Sequence, residues 1–291
     1  MNNIFFRSDN RVRNGWKVLL YFVLMAILDI AFSEISHQFQ SGIANEIVPN
    51  NLVPFLGAAL ATWICLRFER MPFASIGLSI DLKFLRQFTG GLFLGATLLG
   101  IIGIGVWLLD GFHLSGYSGI STSILLRSAM LFLIGALFEE IAFRGYAFQR
   151  GISAMGVVPC QLAFATAFSL AHLGSPALRG HNVVLPLLTI FLAAIMLGYC
   201  YLRTGSLALP IGVHMGWNWC QESLGFSVSG RSLDGFWTPV LHARPDWITG
   251  GAFGLEGSLV CVTVLITAIV GLHFSSALPW VKGPIQIISP T

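Results

Sequence analysis

The sequence predicts an all-α polytopic membrane protein, a bundle of about eight transmembrane helices, and three observations carry that prediction. First, of its 291 residues 55% are hydrophobic and only 10% charged, whereas a soluble domain carries about 25% charged residues. A mean hydropathy of +0.77 agrees. Too few charges remain to coat a water-facing surface, which excludes a soluble enzyme built on one buried core. Second, eight stretches approach the roughly 20 apolar residues that cross a hydrocarbon layer about 30 Å thick. Third, Lys and Arg are unevenly distributed over the connections between those stretches. The 23 Phe and 8 Trp exclude disorder. A net charge of +3 is too small to point to nucleic acid.

The first span, 15–36, follows Arg7, Arg11 and Arg13 but is too long for a signal-peptide core. No small-residue cleavage site follows it, so it is expected to stay as a helix. Asp29 within it reads as a partner for a neighbouring helix. After the second span, 51–68, residues 69–86 mix charged and apolar side chains and are expected along the inner interface. The third span, 87–109, carries Gly91, Gly95, Gly100, Gly103 and Gly105, which suit close helix packing. The fourth is 123–148. The fifth, 157–173, and the seventh, 206–222, are short and rich in His, Asn or Trp; the sixth is 183–203 and the eighth 256–278. The longest loop, 223–255, is expected outside. Cys65, Cys160, Cys200, Cys220 and Cys261 are scattered singly without a CxxC pair and read as buried small hydrophobes. No repeat or low-complexity segment appears, so residues 1–291 read as a single transmembrane domain.

Orientation follows from the basic residues. With the N-terminus inside, the inner segments hold twelve of the 16 Lys and Arg: Arg7, Arg11, Arg13, Lys17, Arg67, Arg70, Lys83, Arg86, Arg144, Arg150, Arg203 and Lys282. Arg127, Arg179, Arg231 and Arg244 fall outside. That bias places both termini in the cytoplasm and the chain, multi-pass, in a cytoplasmic (inner) membrane.

Ionisable groups deep in a span cost about 3 kcal/mol or more and usually mark a function. The groups that meet this test are Asp29, Glu139, Glu140, His172, and His214 with Asn218. His37, His113, His181, His242 and His273 fall near span ends or in loops and read as interfacial or solvated. Arg150, Pro159 and Thr204 serve as markers of the inner boundary. From them Glu140 and His214 lie roughly 15 Å deep and His172 roughly 20 Å, at about 1.5 Å of helix rise per residue. Three helices thus bring polar groups to a similar height. Glu140 and Arg144 share a helix face and suit an ion pair, while Glu139 points about 100° away toward another neighbour. His214 and Asn218 also share a face, as do Phe168 and His172. A carboxylate near a histidine can activate water as a general base, and a further His with Asn can donate to a developing oxyanion. Glu, His and His could instead hold zinc and leave one position open for water. Polar residues that merely glue helices are the competing reading. Glue does not require two glutamates, two histidines and an asparagine at one depth.

Glu139-Glu140-Ile-Ala-Phe-Arg144 resembles the EExxxR motif of the CPBP family, the CAAX proteases and bacteriocin-processing proteins also called Abi proteins. Phe168-Ser-Leu-Ala-His172 is similar to its FxxxH motif and His214-Met-Gly-Trp-Asn218 to its HxxxN motif, in the family's order and on separate helices. The resemblance covers roughly residues 120–225, the expected catalytic core. Gly250-Gly-Ala-Phe-Gly-Leu-Glu256-Gly also resembles a loop common in bacterial members. The resemblance implies an eight-helix intramembrane endopeptidase, best known for removing the last three residues of prenylated CAAX proteins. Its partners would be the lipid bilayer and a peptide or protein substrate, lipidated or membrane-anchored. By position, Glu139 and His172 would activate the water, and His214 and Asn218 would stabilise the oxyanion. Glu140 and Arg144, with Phe168, would support the site. The family is labelled as metalloproteases, and a metal-free glutamate mechanism is also argued for it; the HExxH helix of soluble zinc proteases is absent here. Zinc on Glu139, His172 and His214, and a site with no cofactor, both stay open. So do two other functions: a non-proteolytic membrane scaffold, immunity or regulatory protein on the same fold, and a proton-coupled transporter, for which no inverted repeat is present.

Overall fold

The computed structural model describes residues 5–6, 12–39, 51–117, 119, 121–178, 183–231 and 235–274. The expectations attached to Arg7, Arg11, Arg179, His181, Lys282 and the C-terminal end lie outside the described residues, as does the side chain of His37. In chain order the elements are α1 (Asn14–Phe39), α2 (Leu52–Phe68), α3 (Leu82–Leu108), β1 (Phe112–Tyr117), α4 (Thr122–Arg144), α5 (Tyr146–Met155), α6 (Val157–Ala171), α7 (Val184–Thr204), α8 (Ala208–Ser223), β2 (Trp237–Leu241), α9 (Asp246–Thr249) and α10 (Leu259–Phe274).

Each expected span overlaps a helix among the described residues, and the protein is an all-α polytopic membrane protein. Helices α1, α3, α7, and α6 with the turn after it, are long and apolar enough to cross a membrane. Helices α2 and α10 are apolar but shorter. Helix α4 carries Arg127, Glu139, Glu140 and Arg144, and α8 carries His214 and Asn218 in only 16 residues. The outward faces suit hydrocarbon: Leu20, Ile27 and Ile30 on α1 and Phe93 and Ile104 on α3 are exposed. These faces lack the polar cover a soluble bundle would need.

Helices α3 and α8 meet through glycine. A methyl group added at Gly91 or Gly95 would lie on main-chain atoms of Leu209 or Val213, and one at Gly212 or Gly216 on the carbonyls of Phe88 or Leu92. The contact is reciprocal, and only residues without a Cβ permit it. Of the other glycines expected to pack, Gly105 faces Val260 and Gly103 faces Leu255, while Gly100 meets nothing within 4 Å.

The structure redraws two expected spans and adds two features beyond them. The fourth span, read as 123–148, is broken: α4 stops at Arg144 because Gly145 takes φ −79° and ψ −129°. A Cβ there would press on the Ile141 carbonyl, so glycine permits the turn and α5 begins on a new axis. The fifth helix ends at Ala171, and His172 opens a 3-10 turn where Gly174 and Pro176 stop the helix. Within residues 69–86, Ser75 and Ile76 are buried, and their carbonyls accept hydrogen bonds from Gln149 Nε2 (2.9 Å) and Tyr201 Oη (3.3 Å). Lastly, the loops after α3 and α8 join as a two-stranded antiparallel sheet, with His113 opposite Val240.

The two ends of the bundle are distinct. At one end are β1 and β2; at the other the turn at Gly77 meets the turn before α8, where Leu207 N donates to the Gly77 carbonyl (2.9 Å). At this second end Glu69 gathers Lys17 (2.8 Å), Arg150 (3.0 Å) and the Tyr146 hydroxyl (2.8 Å). Arg150 is 1% exposed and so does not mark a solvated membrane boundary. Asp29 meets a neighbouring helix at Gly57 of α2, but its Oδ1 finds no hydrogen-bond partner among the described residues.

Candidate active site

The site is organised by Arg144, which ends α4. It donates to Glu140 Oε1 (3.0 Å) and to the carbonyl of Ala194 on α7 (3.1 Å), and it lies over the Phe168 ring of α6 at 4.8 Å. One guanidinium thus ties three helices, as its fork of donors allows. Ala194 stands ten residues from either end of α7, roughly 15 Å from each, so the site lies at mid-depth. Helix α6 is held against α7 by Gln161, which donates to the Ile195 carbonyl (2.7 Å), and by Ser169, which donates to that of Leu187 (2.8 Å).

His214 of α8 joins both glutamates. Its Nδ1 lies 3.0 Å from Glu140 Oε1 and its Nε2 lies 3.6 Å from Glu139 Oε2. The ion pair of Glu140 with Arg144 is present as the four-residue spacing led one to expect. Glu139 does not turn to a separate neighbour; the imidazole is wide enough to present one nitrogen to each carboxylate. Glu140 is fully buried and Glu139 partly so, and Glu139 Oε2 and Glu140 Oε2 have no hydrogen-bond partner among the described residues.

His172 Nδ1 lies 2.8 Å from the Phe168 carbonyl. A carbonyl only accepts, so Nδ1 carries the proton, and Nε2 is the basic atom of the neutral ring. His172, His214 and Asn218 line one cavity of about 60 Å³, several times what a single water needs. Much of the rest of its lining is apolar, from Ile190, Ala193, Met196, Leu197 and Leu265. Glu139 does not line the cavity but meets His214, which does. Glu256 lines it as well, a residue to which the sequence motifs assign no role. An acid directly after a glycine-rich turn and at the head of an apolar helix was the available signal.

For zinc, the proposed ligands Glu139, His172 and His214 do not converge. His172 Nδ1 is bound to a carbonyl and His214 faces two carboxylates, and no three His, Cys, Asp or Glu side chains form a ligand set among the described residues. These three side chains therefore do not form a zinc ligand set.

Residues 121–220 match the family model described as Type II CAAX prenyl endopeptidase Rce1-like. The matched segment runs from the start of α4 almost to the end of α8 and holds all three motifs, so the resemblance read from them is shown over that segment. No curated protein matched the chain. The match, with helices able to span a bilayer, supports a protease at a membrane acting on a peptide or protein.

Proposed function

We propose that the protein is an intramembrane endopeptidase of a cytoplasmic membrane, with both termini on the cytoplasmic side, that hydrolyses membrane-anchored or amphipathic peptides of CAAX-like or bacteriocin type. The observation that carries this reading is the meeting of Glu139, Glu140 and His214 at mid-depth, beside a cavity that also holds His172 and Asn218. In this reading Glu139 and His172 take the proton of the attacking water, with Nε2 of His172 as the base that its Phe168 contact leaves available. His214 and Asn218 donate to the oxyanion of the tetrahedral intermediate. The 3.6 Å from His214 Nε2 to Glu139 is longer than a hydrogen bond. With His214 protonated at both ring nitrogens between the two carboxylates, Nδ1–H donates to Glu140 and Nε2–H is left to donate to an incoming oxygen. Arg144 and Phe168 keep that arrangement in register across three helices.

The test compares the purified full-length protein with Glu139→Ala and His172→Ala on candidate peptides. Each variant should lose at least about 100-fold in cleavage, the usual contribution of a positioned acid or base, with membrane level and unfolding temperature retained. Equal cleavage by wild type and Glu139→Ala would remove the assignment. No cleavage by any of them, with the cellular phenotype kept by both variants, would establish a scaffold instead.

A further inference from the structure

Glu256 stands in a turn whose course is set by main chain. Gly250, Gly251 and Gly254 have φ of +85°, +55° and +89°, a region that only glycine enters freely. A Cβ at Gly257 would press on the Gly250 carbonyl. From this turn the carboxylate reaches back toward α8. Its Oε1 accepts from Trp217 Nε1 (2.9 Å), and its Oε2 accepts from the main-chain N–H of Ser229 (2.8 Å) and from the Ser229 hydroxyl (3.1 Å). Three donors on one carboxylate make a set of charge-assisted bonds, each stronger than a neutral one. Trp217 is the residue before Asn218, and Ser229 belongs to the loop that leaves α8. All of these residues line the cavity of His172 and His214.

We propose that Glu256 is a positioning residue for the hydrolysis: it clamps α8 and the loop 226–231 to the head of α10, and so fixes Asn218 and the cavity wall around the developing oxyanion. The catalytic half of this statement rests on the peptidase reading; the clamp itself does not. A carboxylate accepts at both oxygens and a carboxamide at one. Glu256→Gln therefore keeps Trp217 or Ser229 but not both, and Glu256→Ala keeps neither.

The experiment uses the purified full-length protein and Glu256→Ala, Glu256→Gln and Trp217→Phe, with two measurements. Hydrogen exchange over 226–231 reads the clamp, and steady-state cleavage of a peptide that wild type cuts reads the reaction. Glu256→Ala should lower kcat about 10- to 100-fold, as loss of a supporting partner does, with KM within about threefold of wild type. Glu256→Gln and Trp217→Phe, which each spare part of the set, should fall between. Added acetate should restore part of the Glu256→Ala loss and leave wild type unchanged, a response that general unfolding would not give. Exchange over 226–231 should rise about tenfold in Glu256→Ala, the loss of about 1.4 kcal/mol of protection. An unchanged kcat, or a loss that acetate does not touch, would overturn the positioning role, and unchanged exchange would overturn the clamp. If wild type and Glu139→Ala are alike inactive on every peptide, the peptidase reading fails, while exchange still decides the clamp.

Discussion

Two glutamate clusters lie within this bundle, and they are balanced differently. Glu69 is answered by Lys17, Arg150 and the Tyr146 hydroxyl, so cations outnumber the carboxylate. Glu139 and Glu140 share a single arginine and a histidine, so here the carboxylates outnumber the one permanent cation. A carboxylate that serves only structure gains from full compensation, because an unpaired buried charge is expensive. A carboxylate that must take up a proton is better left short of fixed positive charge, which would hold it ionised. The contrast separates a bolt at one end of the molecule from the proposed site at its middle.

Substitutions can break this contrast or sharpen it. The largest effect is expected at Arg144, since Arg144→Leu strands Glu140 with no exposed surface. It should destabilise the protein by about 3–5 kcal/mol, the usual result of removing one partner of a buried pair, read as denaturant unfolding in detergent. Cleavage should vanish with it. Arg144→Lys should recover part of the stability but little activity, because a point charge cannot hold Glu140, Ala194 and Phe168 together. A smaller effect is expected at the bolt. Tyr146→Phe removes one donor to Glu69 and should cost about 1 kcal/mol, with kcat of the folded protein unchanged. A loss of kcat there would show that the two clusters are coupled.

The smallest effect lies at the sheet end. Asp110 accepts from Arg244 (2.8 Å) and from His242 Nδ1 (2.8 Å), and His242 Nε2 meets His113 Nδ1 across the strands (2.8 Å). The Arg244 hydrogen bond first, and His242 second, hold the Asp110 carboxyl below its ordinary value of 3.8. A depressed carboxylate contributes stability above its unfolded pKa and loses it as pH falls through the folded one. Exchange of the β1 and β2 amides should therefore not respond to Asp110 between pH 7 and 5, and its contribution should fade only below the ordinary carboxylate value. Asp110→Asn should remove that acid response.

Much of this was legible in the sequence where one short-range rule decides the outcome. Apolar length located the helices, and the spacing of Glu140 and Arg144 announced their ion pair. The Gly145 break was hidden because apolar character runs on from 123 to 148 while the interruption is one of backbone angle. Glu69 with Arg150 was hidden by the long sequence separation between them. Glu256 was passed over since it sits at the rim of a span, where an acid normally signals solvent; its role depends on a turn that folds it inward. The meeting of both glutamates at His214 could not be read from helical phase, which gives a direction for each side chain but not the width of the ring between them.

Main chain meets main chain where α3 crosses α8, and such a contact has no adjustable part: side chains can repack, peptide planes cannot. His214, framed by Gly212 and Gly216, is therefore held to a reference that contributes nothing to the cavity. The same spelling, glycine at every fourth position, occurs at Gly91 and Gly95 on the opposing helix. The pair of spellings forms a second signature, independent of the reactive residues. A protein that keeps the glutamates and histidines but carries larger residues at these four positions would have its words in order and its ruler missing.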